Sequence, residues 1–174
     1  MVIALTAAEE FAASLRIAKM LFPNHEALEG VSREELGTGN LKYEDYTVGD
    51  HWQFLYHFGW KYGVIESCPQ HVVEARARYT QTVGQLPPMV RVMSIVAREM
   101  HLSRIFRRIL IAEDWSGMDL QAFRYFLDRH IFFDEGDTGH GARIESLVPV
   151  NDDVLPFFLA REKLYKESLP TLFK

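Results

Sequence analysis

The stretch 121-QAFRYFLDRHIFFDEGDTGHG-141 decides the fold class. Phe123, Leu127, His130 and Asp134 follow one another at spacings of four, three and four, which places them on one face of an α-helix. With Leu120 and Ile131 they form the inward stripe of a helix expected over 117–135, capped by Ser116. The stripe begins apolar and ends in an imidazole and a carboxylate, where burial calls for hydrophobes. Three glycines then fall within six residues, at 136, 139 and 141, and these weaken or unwind a helix. On an ideal helix Asp137 points roughly with His130, while His140 is rotated from it by about 80°. Distortion at the glycines would bring His140 back toward the site; on the residues alone, a helix end followed by a solvated loop is the favoured reading.

The helix expected over 88–113 shows the same interruption. Val92, Val96, Ser103, Phe106 and Leu110 share a face, and Glu99 stands on it. Elsewhere the pattern is helical too. Thr6-x-x-Glu9 reads as a capping box that opens a helix ended by Pro23. Further helices are expected over 26–36, from His51 to Gly59 or Gly63, over 68–84, and over 153–168 with Pro156 in its first turn. Residues 40–50 read as a loop. Two-residue alternation is nowhere sustained, so the fold class is all-α, six to seven helices in a single bundle-like domain over 1–174.

Composition narrows the function. The 174 residues are 48% hydrophobic and 25% charged, as globular chains are. A net charge of −5 argues against nucleic acid as partner. The single cysteine, Cys68, excludes an internal disulfide and a cysteine-based zinc site, and a reducing cytoplasm is the expected compartment. No membrane span and no targeting segment is expected. Exposed aromatics leave room for a homodimer.

A buried carboxylate is costly unless it is paired or bound to a cation. Glu99, His130 and Asp134, brought inward from two helices, would share that cost by holding a metal. Oxygen and imidazole donors suit iron or manganese, with zinc possible. The competing reading pairs each carboxylate with an arginine or a neighbouring histidine.

These residues carry a resemblance. FRYFLDRHIFFDEGDTGHG resembles the last core helix of the haem-oxygenase-like diiron oxidases, with their His, carboxylate and second His at His130, Asp134 and His140 or, in its place, Asp137. AREMHLSRIFRRIL is similar to the family's middle helix, whose bridging Glu falls on Glu99. REELGTG followed by HW resembles the family's E-E-x-G-x-G…H segment, whose ligands fall on Glu35 and His51, here separated by an insertion. Some members add a Glu on the first helix, for which Glu10 is the candidate. The resemblance implies a haem-oxygenase-like bundle, two iron ions with O2 as co-substrate, and oxidation of a small organic acid or amine in specialised metabolism. Glu35 and His51 would hold one iron and His130, Asp134 and His140 the other, with Phe54, Val96, Phe123 and Phe126 walling the pocket. Arg98 or Arg129 could meet a substrate carboxylate, surface placement being the competing reading. Alternatives are a metal-free small-molecule-binding or cofactor-metabolism protein of the same fold, and a helical interaction module.

Overall fold

The computed structural model describes residues 1–37, 39–47, 49–99, 102–112, 115, 120–134, 139–144 and 154–170. Helix α1 spans Val2–Leu21, α2 Glu26–Glu35, α3 His51–Lys61, α4 Gln70–Gly84 and α5 Pro88–Glu99. Helix α6 spans Leu102–Ala112, α7 Gln121–Asp134, α8 His140–Ile144 and α9 Leu155–Ser168. Between α2 and α3 lies a small antiparallel hairpin, β1 (Lys42–Tyr43) and β2 (Tyr46–Thr47), with Lys42 opposite Thr47. The chain is predominantly helical, as the periodicity requires.

Four details differ from expectation. Nine helices are described rather than six or seven, because 88–113 is described as two (100–101 lie outside the described residues) and α8 adds a short one. Helix α1 starts at Val2, and Thr6 is an interior residue whose hydroxyl donates to the Val2 carbonyl at 3.0 Å. Its supposed capping partner Glu9 instead pairs with Arg76 on α4. The loop over 40–50 contains the hairpin, turned at Glu44 with φ 53°.

The start of α3 is well determined by sequence. Asp50 precedes it, and its N–H donates to the Gln53 side chain at 3.1 Å, half of a capping box. The Asp50 carboxylate also accepts from Trp52 Nε1 at 3.1 Å and from Arg16 on α1. These bonds fix where His51, the first residue of α3, enters the structure. The exit of α2 is fixed by glycine. Gly37 has φ +74° and Gly39 φ +63°, left-handed conformations that end the helix directly after Glu35.

Two apolar clusters hold the helices together. One gathers Leu15, Val31, Tyr79, Ile95 and Phe157, from α1, α2, α4, α5 and α9. The other gathers Leu5, Phe54, Phe58, Phe126 and Leu127, from α1, α3 and α7. Each fully buried Phe or Leu contributes about 1.5–3 kcal/mol. Helix α1 belongs to both clusters, packing on α5 and on α3. Glu99 and His130 therefore come from helices seated in different clusters. Among the described residues, no helix is long and apolar enough to cross a membrane.

Candidate metal centre

Five of the residues singled out by sequence converge: Glu35, His51, Glu99, His130 and His140, all buried. Glu35 is the last residue of α2, His51 the first of α3, and His140 the first of α8. Glu99 comes from α5 and His130 from within α7. Loop chemistry delivers two of them: the glycine stop after Glu35 and the Asp50 cap before His51.

Each of the three imidazoles has a hydrogen-bond partner on its outer nitrogen. His130 Nδ1 lies 2.8 Å from the Phe126 carbonyl, which can only accept, so Nδ1 carries the hydrogen. Asn40 Nδ2 donates to the Glu34 carbonyl at 2.9 Å, which turns Asn40 Oδ1 toward His51 Nε2 at 2.6 Å, and His51 donates there. His140 Nε2 lies 2.7 Å from Glu34 Oε2. Each ring has an outer partner for one N–H, and when neutral with its hydrogen there it turns the other nitrogen's lone pair inward.

The inward atoms crowd one another. His51 Nδ1 is 2.8 Å from Glu35 Oε2 and 3.2 Å from His130 Nε2. His140 Nδ1 is 3.1 Å from Glu99 Oε2 and 3.5 Å from Glu35 Oε1. Acceptors facing acceptors at these separations repel unless a cation lies among them. The ligand atoms of Glu35, His51 and His130 all fall within 4.8 Å of each other. Donors bound to one ion at about 2.1 Å lie roughly 3–4 Å apart, so the group fits an ion of that kind. Outer partners that orient metal-ligating histidines are the usual companion of such sites.

Electrostatics agree with the geometry. Burial would raise the Glu35 carboxyl, but the charge and hydrogen bond of His51, with His130 and His140 beyond, hold it at about 2. Burial together with the charge of His51 depresses His130 to about 4, Glu35 opposing the shift. A carboxylate kept ionised beside an imidazole kept neutral is the protonation state a metal requires.

The remaining candidates fall elsewhere. Glu10, the extra carboxylate expected on α1, is taken up by a different set of partners: Arg98 Nη1 at 2.5 Å, Ser14, Tyr79 and Arg91. Its place on an apolar stripe reflects an ion pair. Asp134 closes the described part of α7, its side chain outside the description, and Asp137 lies outside the described residues. His25 caps α2, accepting from Leu28 N at 3.2 Å, and His57 stacks on Tyr46.

Four participants were missed by sequence reasoning. Asn40 and Glu34 orient His51 and His140, and Arg143 Nη1 in turn holds Glu34 at 2.9 Å. Phe133 stacks against both His51 and His140, its ring centroid 5.9 Å from each. The Glu34–Glu35 pair at a helix end was the available signal, since two acids there are locally unfavourable.

Beside the centre lies a cavity of about 580 Å³. Glu35, His51, Glu99 and His130 form part of its wall, and Phe11, Phe106, Phe123 and Phe126 form much of the rest. Phe54 and Val96, expected as wall residues, are buried in the two apolar clusters instead. Fold and site together define a helical protein with a buried carboxylate–imidazole cluster opening on an apolar cavity. No protein-family model, curated protein or solved structure matches the chain. The likeness to haem-oxygenase-like diiron oxidases therefore stands on the sequence motifs alone.

Proposed function

We propose that this chain is an O2-dependent oxidase or oxygenase of haem-oxygenase-like fold, built on a two-iron centre and acting on a small organic acid or amine. The observation that carries the reading is the convergence of the inward nitrogens of His51, His130 and His140 on Glu35 and Glu99. Glu35 occupies the middle: Oε2 faces the His51–His130 side and Oε1 the His140 side. In this reading Glu35, His51 and His130 would hold one ion, and Glu99 and His140, beside Glu35, would hold the other. That grouping pairs His130 with His51, in place of the partition implied by the family resemblance.

Bound iron would supply the electrons that reduce O2. The protein's own part is to hold neutral imidazoles and ionised carboxylates in place before any ion arrives. The apolar wall excludes water from the centre and lets an organic substrate approach it. Asn40, Glu34 and the Phe126 carbonyl keep each ring in the tautomer that can ligate.

Anaerobic titration with Fe(II), then exposure to O2 under stopped-flow absorbance, tests the proposal. About two equivalents should bind per chain, as a two-metal site requires, with an O2-dependent optical change. His130→Ala should lose both. A folded protein that takes up no iron overturns the reading. A second reading follows from the 2.8 Å separation of His51 and Glu35, which a shared proton also explains. It makes the chain a metal-free small-molecule binder, and the same titration separates the two.

A further inference from the structure

The cavity has a second polar pole, remote in chemistry from the first. Arg98 precedes Glu99 on α5 and is 5% exposed. Its Nε donates to the Ser94 carbonyl at 3.3 Å and its Nη1 to Glu10. Its Nη2 is buried and has no hydrogen-bond partner. The guanidinium lies 4.7 Å from the ring centroid of Phe11 and 5.0 Å from that of Phe157, and Arg98 forms part of the cavity wall. Arg161, from α9, lines the same cavity. Its Nε donates to the Tyr165 hydroxyl at 2.8 Å, and it has no carboxylate partner among the described residues. Arg91 stands 4.0 Å from Glu10.

Arg98 and Arg91 therefore share one carboxylate, Glu10, and Arg161 has none among the described residues. A desolvated N–H of a charged group, left without an acceptor, is among the most costly omissions a protein interior can carry. An anion entering the cavity would remove it and would balance the surplus charge. At this pole, away from Glu35 and Glu99, a cationic head would face the Arg161 guanidinium and the unbonded Nη2 of Arg98, which selects against it there.

We propose that the cavity takes an amphiphilic organic anion: its carboxylate binds Arg98 Nη2 and Arg161, and its apolar body lies along Phe11, Phe106 and Phe123. The anion subsite stands on Arg98 by itself. The further statement, that a carbon of this guest is the one oxidised, rests on the proposed metal centre. Of the two substrate classes left open above, this selects the acid over the amine.

Calorimetric titration of the full chain with decanoate and with decylamine tests the inference. The two probes have the same apolar body and opposite charge. Decanoate should bind, and decylamine should bind roughly tenfold more weakly or worse. Glu10→Gln frees Arg98 from its internal carboxylate and should tighten decanoate. Arg161→Gln should weaken it by roughly tenfold, the worth of a charged hydrogen bond. The double variant Glu10→Gln/Arg98→Gln removes both members of the Glu10–Arg98 pair together and should abolish binding. If that variant does not fold, the two single variants decide the matter.

Equal or tighter binding of decylamine overturns the proposal. So does no binding of decanoate, a weakening by Glu10→Gln, or wild-type affinity in Arg161→Gln or in the folded double variant. Iron stoichiometry is measured on the same samples. Decanoate binding with the expected variant pattern but without iron uptake would retain the anion subsite and remove the metal centre. Iron uptake with no decanoate binding would do the reverse.

Discussion

Replacing Asn40 tests the tautomer argument most directly, because Asn40 touches the centre only through His51. Its Oδ1 accepts the His51 Nε2 hydrogen at 2.6 Å, and its orientation is set by the 2.9 Å bond from Nδ2 to the Glu34 carbonyl. Asn40→Leu removes the acceptor and leaves a buried ring N–H unsatisfied, a loss of about 1–3 kcal/mol. The ring can escape that loss by moving its hydrogen to Nδ1, and this turns a donor, not a lone pair, toward Glu35. Metal affinity should then fall by roughly 10–100-fold, as it does when the partner of a ligating histidine is lost. Asn40→Asp keeps an acceptor at the same place and should retain or exceed the parent affinity. Competition of Fe(II) or Zn(II) against a chromophoric chelator measures the affinity. Nitrogen NMR of the imidazoles reads the tautomer independently. Equal affinities in Asn40→Leu and Asn40→Asp would refute the reasoning, because the two differ chiefly in whether His51 finds an acceptor.

Burial, and after it the nearby Glu10 charge, pushes the Tyr79 hydroxyl well above its ordinary value of 10.0. The unfolded chain loses that proton first, so stability should fall as pH rises past about 10, and Tyr79→Phe should flatten the fall in urea midpoints. Leu127 is fully buried between α7 and its neighbours, and Leu127→Ala should cost about 2–5 kcal/mol in chemical denaturation. Gly37 sits at φ +74° with nothing near the position a Cβ would take, so strain there is purely conformational. Gly37→Ala should cost about 1–2 kcal/mol and Gly37→Asn less, read as shifts in thermal midpoint.

How much of this was legible beforehand depends on whether the signal was local. Periodicity marked the helices, and Pro23 and His51 marked an end and a start that the structure keeps. Glu99 and His130 stood out as polar residues on apolar stripes, and the structure brings them into one cluster with Glu35, His51 and His140. Glu10, which the family resemblance singled out, is buried for a different reason: its partner Arg98 lies 88 positions away, on another helix. A stripe tells that a carboxylate is buried, but what neutralises it is a tertiary fact. Asn40, Glu34 and Phe133 were illegible on similar grounds, since each acts through a side chain from another segment. The hairpin escaped because two-residue strands are too short to show alternation.

The arrangement of charges along the helices gives an independent argument for a cation. A helix carries partial negative charge at its C-terminus and partial positive charge at its N-terminus, so acids stabilise the start and bases the end. Here the order is inverted. Glu34 and Glu35 close the ten-residue α2, and His51 opens the eleven-residue α3. Each placement opposes what helix stability alone would select. An acid at a negative helix end is offset only by an external positive charge, supplied here in part by Arg143 on Glu34. A positive helix end is a poor position for a cationic ring and an acceptable one for a neutral ligand. Glu35 therefore presents charge where the backbone adds to it, and His51 presents a lone pair where the backbone discourages a second proton. Both departures lose local stability in the empty protein and regain it when an ion binds between them. Filling the centre should accordingly stabilise the fold, whereas an ion pair designed only for stability would have placed these same residues at the opposite helix ends.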